Sequence, residues 1–176
     1  MRFLISAAGT GGHVFPALEF SAECIKNNHD VLWMGTKTGL ESRKVPEKNI
    51  QFMTVPMRGF RGKGLLNKFI SIFGLAASIG KTIIFLFQNK INFVVCFGGY
   101  ISLPVGIAAI LCRKQLILHE QNAVMGTSNK LLAPFAKIIF LGTPLATVSQ
   151  KNTQLVGNPI KRIYKHQDMA PPKSDE

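Results

Sequence analysis

Phe3-Leu4-Ile5-Ser6-Ala7-Ala8 is a short apolar run that ends abruptly in Gly9-Thr10-Gly11-Gly12-His13. An apolar run of this length closed by glycines predicts a buried strand, and Pro16-Ala17-Leu18-Glu19-Phe20-Ser21-Ala22 predicts a helix with proline in its first turn. Strand, glycine-rich turn and helix N-terminus in immediate succession commit the chain to an α/β layout. They also make an anion site, because unpaired N–H groups point outward where the helix dipole is positive. His13 puts an imidazole beside that cradle, so one turn can hold an anion and move a proton. The same residues also fit a plain tight turn, with the glycines there for conformation and His13 capping the helix.

A dinucleotide-binding reading fits poorly. That turn needs a third glycine where this chain has Val14, and an acid about 20 residues on, at the end of the second strand. Here Asp30-Val31-Leu32-Trp33-Met34 runs into Gly35-Thr36-Lys37 instead.

The alternation continues along the chain. Apolar runs predict strands near residues 3–8, 30–34, 51–55, 93–97, 115–118, 138–141 and 154–156, with helices near 16–27, 39–46, 65–88, 102–112 and 126–135. Such a pattern implies an α/β fold: a Rossmann-like, mostly parallel sheet with helices on both faces. Ligands of such sheets gather at the C-terminal strand ends. There the sequence places the first glycine turn, Gly98-Gly99-Tyr100 and His119-Glu120-Gln121-Asn122. One domain is expected over residues 1–163, with 164–176 a linker or frayed tail ending Ala170-Pro171-Pro172-Lys173-Ser174-Asp175-Glu176.

The 176 residues carry 21 bases against 9 acids, a net charge of +12. Between Glu47 and Asp168 the only acid is Glu120. A surface so biased attracts anions, whether nucleic acid, anionic lipid or a pyrophosphate compound. Nucleic acid is disfavoured, since the phenylalanines sit in apolar runs and not among exposed cations where bases could stack. Cys24, Cys96 and Cys112 lie in apolar segments without metal-ligand spacing and are expected to be reduced, buried thiols of a cytoplasmic protein. The N-terminal run is too short for a signal peptide. The uncharged stretch from Ile91 to Cys112 is broken by Gly98-Gly99 and Pro104, so it reads as strand, loop and helix, not as a membrane span. Leu65 to Phe87 differs. Its bulky apolar residues, Phe69 and Phe73 among them, cover more than one helical face, and Arg61, Lys63 and Lys68 flank or interrupt it. That combination suits a helix lying in a membrane interface; the same run also fits a core-facing helix with a wide apolar stripe.

Four motifs in this order resemble the MurG family of bacterial peptidoglycan glycosyltransferases: Gly9-Thr10-Gly11-Gly12-His13-Val14-Phe15-Pro16, Arg61-Gly62-Lys63-Gly64, Gly98-Gly99-Tyr100 and His119-Glu120-Gln121-Asn122. Val156-Gly157-Asn158-Pro159 resembles the family's signature near its domain junction. The resemblance implies one half of a two-domain GT-B enzyme that is inverting, metal-independent and without cofactor. Such enzymes transfer N-acetylglucosamine from UDP-GlcNAc to lipid I, an undecaprenyl-pyrophosphoryl-MurNAc-pentapeptide, giving lipid II. It implies that this chain is the acceptor- and membrane-binding half, inactive or nearly so without the donor-binding domain. It assigns His13 as general base. Thr10, Gly11, Gly12, Asn122, Lys161 and Arg162 would contact the donor or a pyrophosphate. Gly98, Gly99, Tyr100, His119, Glu120 and Gln121 would contact the acceptor, and Arg61, Lys63, Leu65, Lys68, Phe69 and Phe73 the anionic inner-membrane surface. From the residues alone, His119 also fits a satisfied core histidine, and Glu120 an acid that pairs with a cation or orients His119. Lys161 stands where the family usually has arginine, keeping charge but losing the bidentate fork, and Ala8 where glycine is common. A non-catalytic, membrane-recruiting subunit of a split glycosyltransferase is the other function compatible with these motifs.

Overall fold

A computed structural model describes residues 1–57, 65–146 and 152–159; for residues 65–71 it describes the backbone alone. Seven strands form one all-parallel sheet: β1 (Arg2–Ser6), β2 (Asp30–Gly35), β3 (Gln51–Thr54), β4 (Phe93–Cys96), β5 (Gln115–Glu120), β6 (Ile138–Leu141) and β7 (Thr153–Leu155). Their spatial order is β3-β2-β1-β4-β5-β6-β7. The order reverses direction between β1 and β4, where Phe3 pairs with Phe93 and Ser6 with Cys96. That reversal opens a crevice at the C-terminal edge of the sheet.

Helices α1 (Gly11–Lys26), α2 (Glu41–Lys44), α3 (Leu65–Gln88), α4 (Ser102–Leu111) and α5 (Thr127–Leu132) make the connections. Alternation along the strands sorts the core into two layers, since successive side chains point to opposite faces. Leu4, Leu32, Met34, Val94 and Cys96 face the layer that holds Leu86 of α3 and Val105 of α4. Ile5, Trp33, Val95 and Phe97 face the layer that holds Val14, Ala17 and Leu18 of α1. Helices on both faces of a parallel sheet are the expected architecture.

All seven expected strands are present, and α3 spans the expected residues 65–88. Two expectations fail in detail. Helix α1 begins at Gly11, so Pro16 lies inside it and not in its first turn. A proline there has no N–H for the carbonyl of Gly12; the buried Pro16 ring packs inside the fold, and the helix runs on. The helix expected at 39–46 shrinks to Glu41–Lys44 followed by a 3-10 turn, Pro46–Lys48. Pro46 supplies no N–H to continue the α ladder, and Asn49 closes the segment in the left-handed region at φ 56°.

Cys24 and Cys96 are buried free thiols, with burial pushing them up to about 11 and about 12, and Cys112 is half-buried. No helix among the described residues is long and apolar enough to cross a membrane.

Candidate functional site

The turn after β1 and the turn after β4 meet at the strand-order reversal. Gly9, Gly98 and Gly99 take φ values of +99°, +101° and +78°, a region closed to most side chains. At Gly99 glycine is needed twice over, because a Cβ would also run into the carbonyl oxygen of Ala8. At Gly98 a Cβ would lie 2.7 Å from Cδ2 of His13 and 2.9 Å from its Nε2. The His13 ring therefore packs directly on the second glycine turn. Ser102 fixes that turn from the helix side, accepting from the Gly98 N–H at 3.1 Å and donating to the Gly98 carbonyl at 2.8 Å.

A cavity of about 1120 Å³ opens above these turns. Its wall includes Thr10, His13, Gly98, Gly99, Tyr100 and Glu120. His13 is half-buried, with Nδ1 3.4 Å from the Thr10 hydroxyl. Burial pushes the His13 imidazole below its usual value, and the Glu120 carboxylate opposes part of that shift. The net direction favours a neutral ring, able to accept a proton. Helix α1 starts at the same turn with Thr10 as its N-cap. Among the described residues, no acceptor holds the Thr10, Gly11 or Gly12 N–H groups, so they remain available to an anion.

The segment after β5 is built differently. Glu120 is 1% exposed. Its Oε1 accepts from the Asn122 backbone N–H and Nδ2, both at 3.1 Å, and its Oε2 accepts from the Gly126 N–H at 3.0 Å and Asn129 Nδ2 at 2.9 Å. No described cation pairs with it; the expected ion pair is replaced by four N–H donors, which shape the loop into α5. His119 is 3% exposed and stacks on Phe97 at 5.0 Å between ring centres. Its Nδ1 lies 2.9 Å from Gln121 Nε2, and its Nε2 3.3 Å from the Gly157 carbonyl. With Nδ1 accepting and Nε2 donating, the ring is the neutral tautomer, and burial holds its pKa below the usual value. His119, Gln121 and Asn122 are absent from the cavity wall: the first two are buried behind it and Asn122 is turned to Glu120.

The remaining sequence-derived site residues divide simply. Phe73 is 73% exposed on α3, beside Ile72 at 59%. Leu65, Lys68 and Phe69 lie on α3 with side chains outside the described set, while Arg61, Lys63, Lys161 and Arg162 lie outside the described residues altogether. Two site residues escaped sequence reasoning. Asn129 lines the cavity at 1% exposure and donates to the His119 carbonyl and Glu120, while its Oδ1 is buried with no described partner. Glu41, fully buried, reaches the first glycine turn. Among the described residues no cluster of His, Cys, Asp and Glu could hold a metal.

A doubly wound parallel sheet with its cavity at the order reversal, walled by the turn after β1, is the Rossmann-like half of the GT-B glycosyltransferases. The chain belongs to glycosyltransferase family 28: residues 3–141 match the Glycosyltransferase family 28 N-terminal domain. It is 43% identical over 158 residues to a protein of Acidithiobacillus ferrooxidans named UDP-N-acetylglucosamine--N-acetylmuramyl-(pentapeptide) pyrophosphoryl-undecaprenol N-acetylglucosamine transferase, covering 90% of this chain and 43% of that protein. A protein of the same name from Idiomarina loihiensis is 41% identical over 162 residues, covering 92% and 45%. The crystal structure of Acinetobacter baumannii MurG superposes with a TM-score of 0.77 at 33% identity, over 97% of this chain and 50% of that one. A UDP-GlcNAc 2-epimerase of Methanocaldococcus jannaschii shares the fold, with a TM-score of 0.64 at 14% identity. The chain thus spans under half the length of the curated relatives it matches.

Proposed function

We propose that this chain is the acceptor-side half of an inverting glycosyltransferase of bacterial cell-wall synthesis. The reaction moves N-acetylglucosamine from UDP-GlcNAc to undecaprenyl-pyrophosphoryl-MurNAc-pentapeptide, lipid I, and yields lipid II. The observation that carries this reading is His13, its pKa lowered by burial, on the wall of a cavity that Thr10 also lines, with the amides of Gly11 and Gly12 beside that wall and without a described acceptor. The His13 imidazole takes the proton of the acceptor's sugar hydroxyl as that oxygen bonds to the anomeric carbon from the face opposite UDP. The bond from the anomeric carbon to the UDP oxygen breaks, and UDP leaves with the electron pair. The amides of Thr10, Gly11 and Gly12 hold a diphosphate at the helix N-terminus. The turn Gly98-Gly99-Tyr100, with Asn129 behind it in the same wall, completes the surface against which the acceptor's sugar lies. His119 and Gln121 support that wall from behind. Most donor contacts, with Lys161 and Arg162 at their margin, fall to the part of the relatives that lies beyond the matched region.

Peripheral binding to the cytoplasmic face of the plasma membrane follows from the same reading. It is supported by Ile72 and Phe73 standing bare on α3 in a chain of net charge +12. The test is a fusion of this chain to the C-terminal half of Acinetobacter baumannii MurG, assayed with labelled UDP-GlcNAc and lipid I. Transfer by the fusion, with little by the 176-residue chain alone, is the expected result. A well-folded fusion that binds both substrates and transfers nothing overturns it and favours a membrane-recruiting subunit.

A further inference from the structure

Glu41 stands at the start of α2, and none of its surface reaches solvent. Its Oε1 accepts from the Thr36 backbone N–H at 3.0 Å and the Thr36 hydroxyl at 2.6 Å. Its Oε2 accepts from the N–H of Gly9 at 3.4 Å. Neighbouring glycines make the room: a Cβ on Gly35 would lie 2.7 Å from Glu41 Cγ, and one on Gly39 would run into the carboxylate itself. No described cation pairs with Glu41. A carboxylate buried without a cation depends on its N–H and O–H donors, so these loops are shaped around it and Gly9 supplies one of a small set of donors.

No side chain crowds Gly9 itself. A Cβ there would meet nothing within 4 Å, and its φ of +99° lies where glycine moves freely. The Ala8–Gly9 peptide that carries this N–H is held at one end where the Ala8 carbonyl packs against Gly99; the hydrogen bond to Glu41 fixes its other end. We infer that Glu41 is a positioning residue for the β1 turn: it draws the Gly9 N–H away from the cavity and so aims the Thr10, Gly11 and Gly12 amides at a diphosphate. The inference rests on the turn being a diphosphate site. A glutamine at 41 keeps the volume and can still accept from Thr36, but its NH2 group then faces the Gly9 N–H, donor against donor.

Two probes follow the turn in this chain. Trp33, its only tryptophan, donates its indole N–H to the Ala7 carbonyl at 3.3 Å, directly beneath the turn, and reports by fluorescence. Amide NMR resolves the glycines. In the wild-type chain titrated with inorganic pyrophosphate, the Gly11 and Gly12 amides should move while Gly9 stays protected from exchange; Gly9 moving as the leading donor overturns the inference. In Glu41→Gln, Gly9 should lose protection and pyrophosphate affinity, measured by Trp33 fluorescence and calorimetry, should fall about tenfold, the size of one lost hydrogen bond to a charged group. Thr36→Val removes the hydroxyl donor but keeps the Gly9 contact, so it should lower the melting temperature and leave pyrophosphate affinity unchanged. If both variants lose affinity in step with stability, Glu41 is merely structural. Wild-type affinity in Glu41→Gln sinks this inference alone, whereas a wild-type chain that ignores pyrophosphate sinks the diphosphate reading and takes this inference with it.

Discussion

The two loops that face each other across the cavity are built on opposite terms. The turn after β1 has almost no side chains, leaves its amides at Thr10, Gly11 and Gly12 open, and presents one imidazole. The segment after β5 is rich in polar side chains and consumes them internally, with four N–H groups folded onto Glu120 and His119 closed between Gln121 and Gly157. The lesson is that polar residue type and ligand-binding duty separate here. On the proposed reading, sparse backbone supplies the binding groups and the dense polar motif supplies rigidity.

The contrast can be broken most sharply at His13. In a full-length fusion, His13→Ala should reduce transfer by about 10²–10⁴-fold, the range of a general base, with lipid I affinity little changed; a loss under about tenfold would move the proton transfer elsewhere. Next comes Glu120→Ala, which strands the buried Asn129 amide and frees the more exposed donors of Asn122 and Gly126. A loss on the order of 3 kcal/mol in chemical denaturation is expected, and a loss near zero would mean that the segment is not the rigid side. Gly99→Ala tests the contact between the β4 turn and Ala8, with about 2 kcal/mol expected from the positive φ and an added cost from the clash with the Ala8 carbonyl.

Acidity sharpens the comparison with smaller effects. As the proposed general base His13 works when neutral, and its pKa is lowered from 6.5, so the fusion's rate should fall only as the pH drops below that value and stay level above it. A rate limb centred above 6.5 would contradict the burial of the ring. His119 also has its folded-state pKa depressed by burial. The unfolded chain then binds the proton more readily, so this residue's contribution to stability is complete above about 6.5 and declines as the pH falls through it. Denaturation midpoints across that window should slope in the wild-type chain and slope less in His119→Gln, the remainder coming from His13.

Much of the fold was legible because parallel strands buried on both faces read as unbroken apolar runs, and glycine or proline marks where each ends. Phe93–Cys96 followed by Gly98-Gly99 is a clear instance. The start of α1 was misplaced because Gly11 and Gly12 read as turn, yet tertiary packing carries the helix through them. In the site, His13 and both glycine turns were legible, since positive φ and helix N-termini leave marks in sequence. Glu41 was not. In Gly39-Leu40-Glu41-Ser42-Arg43-Lys44 it looks like any acid on a solvated helix, and only burial against Thr36 and Gly9 distinguishes it. The glycines at 35 and 39 were the available signal: both positions must lack a side chain to make room for that acid. His119 and Gln121 sit buried and off the cavity wall, a placement their residue types do not reveal, because type does not show which side of a strand end faces the crevice.

The ladder between β1 and β4 also has a temporal side. Arg2 donates to Asn92 across 90 residues of chain, and the β4 turn that backs His13 follows only after that contact. During synthesis, β1 waits with one flank open until its second neighbour emerges. The imidazole and its glycine backing are therefore joined late, by a long loop closure of the kind that slows folding, so a holding chaperone has most to offer the nascent chain just before residue 93 appears.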